Sequence, residues 1–113
     1  MKKLEMDLLT NIHTQVMVES DFKCNAPHYF TVEEVEEPNE ILAEIQFQEG
    51  PKECGINGVA NEDLINIVIC RLEHYQQSES RCRENALAIT ALEESLLWLR
   101  KRTMARENQA GER

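Results

Sequence analysis

Apolar and polar residues change their spacing twice along the chain. From Ile41 to Gln48, Ile41, Ala43, Ile45 and Phe47 alternate with mostly polar residues, the period-two pattern of a half-buried strand. Tyr29 to Val35 has the composition of a strand able to pair with it. Glu49-Gly50-Pro51 ends the alternation and Gly55-Ile-Asn-Gly58 follows, so residues 49–60 read as turns whose glycines permit positive φ. Residues 4–20 fit two patterns: Leu4, Leu8, Leu9 and Ile12 suit a short helix, whereas Gln15 to Val18 suit a strand.

From Asn61 the period becomes helical. Asn61 suits an N-cap, Glu62 and Asp63 suit the positive end of a helix, and Leu64, Ile65, Val68, Ile69 and Leu72 recur at steps of three and four. Polar residues 76–80 interrupt this first helix. Cys82, Ala86, Ile89, Leu92, Leu96, Leu99 and Thr103 then outline a longer second one. Ala88, Ala91, Ser95 and Trp98 form another stripe on it, so the second helix is expected to bury two faces, one against its hairpin mate and one against a partner chain. Periodicity is lost after Glu107, and residues 108–113 are expected to fray. The expected fold is therefore α+β: one domain over 1–113, with a small N-terminal antiparallel β region followed by a C-terminal α-helical hairpin over 61–107 that dimerises.

Composition narrows the function classes. The 113 residues include 12 Lys+Arg against 21 Asp+Glu, a net charge of −9, which is the wrong sign for binding duplex nucleic acid. No apolar run is long enough to cross a bilayer, and the opening MKKLEMDLL is broken by Glu5 and Asp7, unlike a signal peptide, so a cytoplasmic protein is expected. Cys24, Cys54, Cys70 and Cys82 form no CxxC pair and read as reduced thiols; His13, His28 and His74 are equally scattered and suit surface or half-buried imidazoles better than metal ligands. Neither a metal nor a cofactor is expected. No P-loop, GxGxxG or nucleophile–base pair appears, so catalysis is not expected either. The glycine-containing run GINGVANED leads into a helix start, but Glu62 and Asp63 would repel an anion there, which favours a structural turn.

Charge is also uneven. Residues 1–80 carry 5 basic and 16 acidic side chains, net −11, whereas residues 81–113 carry 7 basic and 5 acidic, net +2. Arg102 and Arg106 stand four apart on one face of the second helix, a pair of guanidinium forks suited to a pyrophosphate, although spacing alone favours a solvated basic face near a helix C-terminus. Tyr75 offers a ring for stacking on a purine, and Asn85 offers a donor and an acceptor to a base or ribose; each also suits a packing or capping role.

The run FQEGPKECGINGVANEDLINIVICRLEHYQ, followed by RCRENALAITALEESLLWLRKRTMARE with its CREN-ALAIT-LEE-WL-R pattern, resembles the phage anti-Thoeris sponge family. The related anti-CBASS sponges share its helical hairpin. The resemblance covers residues 41–107 and adds little over the first 40. It implies a non-enzymatic protein that binds cyclic ADP-ribose isomers such as glycocyclic ADP-ribose, made by bacterial TIR immune enzymes, and sequesters them uncleaved. It further implies that Tyr75 stacks on adenine, Asn85 contacts base or ribose, and Arg102 and Arg106 hold the pyrophosphate. A second site for cyclic di- or trinucleotides would involve Arg83 and, from the 50s loop, Lys52.

Helix geometry adds a constraint. Asn85 and Arg102 are 17 positions apart, about 25 Å along a straight helix and too far for one such ligand to span. Two hairpins packed antiparallel would bring Tyr75 and Asn85 of one chain to Arg102 and Arg106 of the other, giving two equivalent pockets per dimer. Assembly of such dimers into a hexamer stays open. Two other readings compete: a helical-hairpin interaction protein that binds a host protein through its arginines, and a hydrolase that would need a base or metal absent from the pattern.

Overall fold

A computed structural model describes residues 1–111, with side chains described through residue 107. The chain divides into two compact units, Met1–Ala60 and Asn61–Arg113.

The first unit is an antiparallel meander of four strands in the order β1 (Lys2–Lys3), β2 (Thr14–Val18), β3 (Tyr29–Glu34) and β4 (Ile41–Gln46). The ambiguity over residues 4–20 resolves toward strand at Thr14–Val18, with no helix among residues 4–13. Pairing with a non-local partner decides it: Val16 lies opposite Val32 and Val18 opposite Phe30, and Gln15 Nε2 donates to the carboxylate of its cross-strand partner Glu33 at 2.8 Å. Val18 is buried on one face and Thr31 on the other. Phe30 and Phe47 meet edge to face, their centroids 5.6 Å apart. Partial burial first, and the neighbouring Glu44 carboxylate second, hold the Tyr29 phenol above its ordinary value. His28 is buried, not a surface imidazole: its Nε2 donates to the Lys23 carbonyl at 2.6 Å and its backbone N–H to Glu19.

β4 stops two residues short of the predicted Gln48 because Phe47 forms a parallel bridge with Val59. Gln48 N donates to Val59 O and Val59 N to Gln46 O. The intervening loop is laced by two amides: Gln48 Nε2 reaches Gly55 O at 2.9 Å, and Asn57 bonds both backbone groups of Glu49. A one-turn 3-10 helix, Lys52–Cys54, lies inside it. Gly50 and Gly55 have positive φ as expected, but Gly58 is required for another reason. A Cβ there would overlap the Phe47 carbonyl group and lie 2.6 Å from Gln46 O.

The second unit is a hairpin of α1 (Asn61–Gln76) and α2 (Arg83–Gly111). Both match the predicted helices. Asn61 is itself helical, and α2 begins one residue after Cys82 and continues four residues past the loss of periodicity at Glu107. Of the tail expected to fray, residues 112 and 113 lie outside the described residues. Ile69 is buried at the helix interface, lined by half-buried Ile65 and Leu72 of α1 and Ile89, Leu92, Leu96 and Leu99 of α2. Among the described residues no helix is long and apolar enough to cross a membrane.

Gly58→Ala is expected to lower the unfolding free energy by about 2–3 kcal/mol through this backbone overlap. Urea denaturation checks it, and an unchanged midpoint would mean that the bridge to Phe47 does not form.

Candidate functional site

The hairpin has two sides that the helix periods define. Glu62 and Asn66 of α1 share a groove with Leu96, Arg100, Thr103, Met104 and Glu107 of α2. The helices therefore run antiparallel, with the start of α1 beside the far part of α2. A quarter turn the other way from the interface, α1 presents Leu64, Val68, Arg71 and Tyr75, and α2 presents Leu87, Ala91, Ser95, Trp98 and Arg102. All of these except Leu64 are exposed, Trp98 at 61% and Leu87 at 51%. This is the second stripe expected from the sequence, with Ala88 half-buried at its edge and Leu87, one turn before Ala91, exposed beside it.

Tyr75 and Asn85 lie together at the turn end of the hairpin, which the sequence fixes by local hydrogen bonds. Gln76 makes a reciprocal pair with Cys82, donating from Nε2 to its carbonyl at 3.0 Å and accepting its N–H on Oε1 at 3.1 Å. Ser78 Oγ donates to Tyr75 O at 2.7 Å and accepts from Ser80 N at 3.1 Å. Asn85 is half-buried and its Nδ2 donates to Ser80 O at 3.1 Å, so half of its amide is committed to the turn. Among the described residues no hydrogen bond takes its Oδ1, which remains an acceptor.

Tyr75 is 38% exposed, with one neighbour that sequence reasoning passed over. Arg71 Nη2 donates to Tyr75 Oη at 2.6 Å, and its guanidinium carbon sits 5.5 Å from the ring centroid. The signal was the i, i+4 spacing of the two residues.

Arg102 and Arg106 are exposed on α2, toward the opposite end of the hairpin. Positions three and four away from Arg102 hold Trp98, Leu99, Ala105 and Arg106, so helix geometry offers it no carboxylate. Among the described residues neither guanidinium has an ion-pair partner. Two unneutralised guanidiniums 40° apart around a helix in a protein of charge −9 form a local anion-attracting surface. The adjacent Lys101 instead lies 5.3 Å from the Trp98 ring centroid. Arg83 is exposed at the first turn of α2, and Lys52 is exposed in the 3-10 turn of the first unit. The structure thus brings Tyr75 and Asn85 together, and Arg102 and Arg106 together, but one chain does not join the two pairs.

The four cysteines are free and exposed. Cys70 Sγ approaches His74 Nδ1 at 3.9 Å on the solvent side of α1, and no group of three metal-ligating side chains occurs among the described residues.

Gln76→Ala removes both bonds that close the hairpin turn and is expected to destabilise the protein by about 1–2 kcal/mol. Thermal unfolding checks this, and an unchanged Tm would show that the turn does not depend on Gln76.

Residues 39–104 match the family model described as Acb2/Tad1, hairpin domain, which takes in β4, the glycine loop, α1 and most of α2. A protein of Bacillus phage SBSphiJ7 named Thoeris anti-defense 1 is 44% identical over 137 aligned residues, covering 99% of this chain and 96% of the relative.

Proposed function

The chain belongs to the Acb2/Tad1 hairpin-domain family, and from that membership we propose that it is a phage anti-defence protein that sequesters cyclic ADP-ribose isomers, glycocyclic ADP-ribose among them, without cleaving them. The near-full-length likeness to the phage relative carries this reading. Binding would withhold the signal from the Thoeris effector in the cytoplasm of the infected host, and the protein itself does no chemistry on it.

The pocket is formed by two chains. Tyr75 and Asn85 of one protomer meet Arg102 and Arg106 of its partner when two hairpins pack antiparallel across the stripe of Leu87, Ala91, Ser95 and Trp98. The free surface supports such a partner. Leu87 and Trp98 on that stripe are 51% and 61% exposed, apolar surface of the kind a second helix covers. Small side chains at Ala91 and Ser95 permit close approach, and Trp98 supplies a large apolar contact.

Tyr75 stacks on the adenine, the free Oδ1 of Asn85 accepts from the base or ribose, and Arg102 and Arg106 grip the pyrophosphate through paired N–H donors. Enclosure by the partner chain is what makes these charge pairs strong, since fully solvated pairs contribute only about 0–1 kcal/mol each. Cyclic di- and trinucleotides of CBASS signalling are proposed as a second ligand class, to be tested separately with Arg83→Ala and Lys52→Ala. Association of dimers into a hexamer belongs to the same proposal.

The test is to mix the protein with cyclic ADP-ribose isomers from a bacterial TIR enzyme, measure free ligand, then heat-denature the protein and chromatograph what is released. Depletion followed by recovery of intact ligand is expected. Degraded ligand would make the protein an enzyme, and no depletion at micromolar protein would reject the ligand. Arg102→Ala or Arg106→Ala should weaken binding about 10- to 100-fold, corresponding to ~1.5–3 kcal/mol. Ser95→Arg should yield a monomer that no longer depletes the ligand; a monomer that still does so would refute the shared pocket.

A further inference from the structure

We propose that Arg71 is a positioning residue of this pocket, one that holds the Tyr75 ring in its stacking orientation before any ligand arrives; the inference rests on the nucleotide-binding reading above. Tyr75 stands in the last turn of α1, 38% exposed, and Arg71 holds both its phenol oxygen and its ring. An exposed aromatic side chain ordinarily changes rotamer on the picosecond to nanosecond scale. Here one guanidinium restrains it twice, through the 2.6 Å bond to the phenol oxygen and through its place over the ring, 5.5 Å from the centroid.

Among the described residues no carboxylate pairs with Arg71. The residues three and four positions away are Ile67, Val68, His74 and Tyr75, none of them a carboxylate. In a chain with 21 acidic side chains, an arginine on an exposed apolar stripe with a phenol as its hydrogen-bonding partner is set apart from surface ion pairing. The consequence is preorganisation. Fixing a side chain at binding costs affinity, and a ring already latched avoids that cost. With the cation on one side of the ring, the opposite side is left for a flat heterocycle, which selects a purine-bearing ligand that stacks over one that only offers phosphate.

The test is a double-mutant cycle on the full-length protein, with cyclic ADP-ribose isomers from a bacterial TIR enzyme as probe. Arg71→Met and Tyr75→Phe should each weaken binding about tenfold, and the double variant should bind within about threefold of either single one, because both substitutions break the same latch. Arg71→Met binding like the wild type would overturn the proposal. So would a full tenfold loss on adding Arg71→Met to Tyr75→Phe, since Arg71 would then act on the ligand directly. A ligand-free measurement separates this inference from the reading it rests on. The Tyr75 ring NMR signals of the free protein should shift and average in Arg71→Met but not in Arg100→Met, on the other side of the hairpin. Unchanged ring signals would overturn the latch whatever the ligand does, whereas altered signals in a protein that takes up no ligand would leave the latch standing and refute only the proposed function.

Discussion

A 16-residue helix laid along a 29-residue one covers a single face of each, and much of this molecule follows from what that leaves in water. Ile69 is the one apolar side chain buried in the hairpin and Val18 the one buried in the sheet, among the described residues. The covered stripe, Ile89 through Leu99, has the spacing of a core face. The uncovered one, Leu87 through Trp98, has the same spacing and no mate within the chain. Exposed apolar stripes of this length mark interaction surfaces, and the small residues at its centre suit another helix.

The same geometry governs the candidate site. A rigid hairpin keeps Tyr75 and Asn85 at its turn and Arg102 and Arg106 about 25 Å away, so the residues that suit a nucleotide are divided between its ends. Pairing two hairpins head to tail, as proposed, would convert that division into two closed pockets, with burial of the apolar stripe as the condition for binding. An acidic protein that holds an anion must keep its cations away from its own carboxylates. The helix positions around Arg71 and Arg102 do so, since neither has an acid one turn away. Among the described residues neither has a carboxylate partner, which leaves Arg71 to the Tyr75 phenol and Arg102 to an anion.

Helices were legible because their information is local: steps of three and four from Leu64 to Leu72 and from Ile89 to Thr103 locate α1 and α2 to within a few residues. The alternation from Ile41 likewise places β4, though not its end, because the Phe47–Val59 bridge depends on a residue twelve positions away. For the same reason β2 was ambiguous. Leu4, Leu8, Leu9 and Ile12 satisfy a helical period, and only pairing of Thr14–Val18 with β3 decides the matter. At the candidate site, residue types were readable but their commitments were not. Asn85 gives half of its amide to Ser80, and Tyr75 is tied to Arg71, contacts that depend on side-chain direction as well as spacing. Gly58 was read as one of the turn glycines that permit positive φ, whereas its role is to let two backbones touch.

The central claim is that each pocket draws on two chains, and mixing two defective proteins tests it most directly. Tyr75→Ala and Arg102→Ala homodimers each lack an essential element in both pockets. After exchange of protomers, half of the dimers would be mixed, and each mixed dimer would hold one pocket with both defects and one with neither. The account predicts that, at a protein concentration where the wild type depletes a TIR-derived cyclic ADP-ribose isomer and a binder about tenfold weaker does not, neither variant alone depletes it and the exchanged mixture recovers about a quarter of the wild-type capacity. A mixture that stays inactive while mass measurement shows mixed dimers would contradict it, because the binding residues would then have to act within one chain.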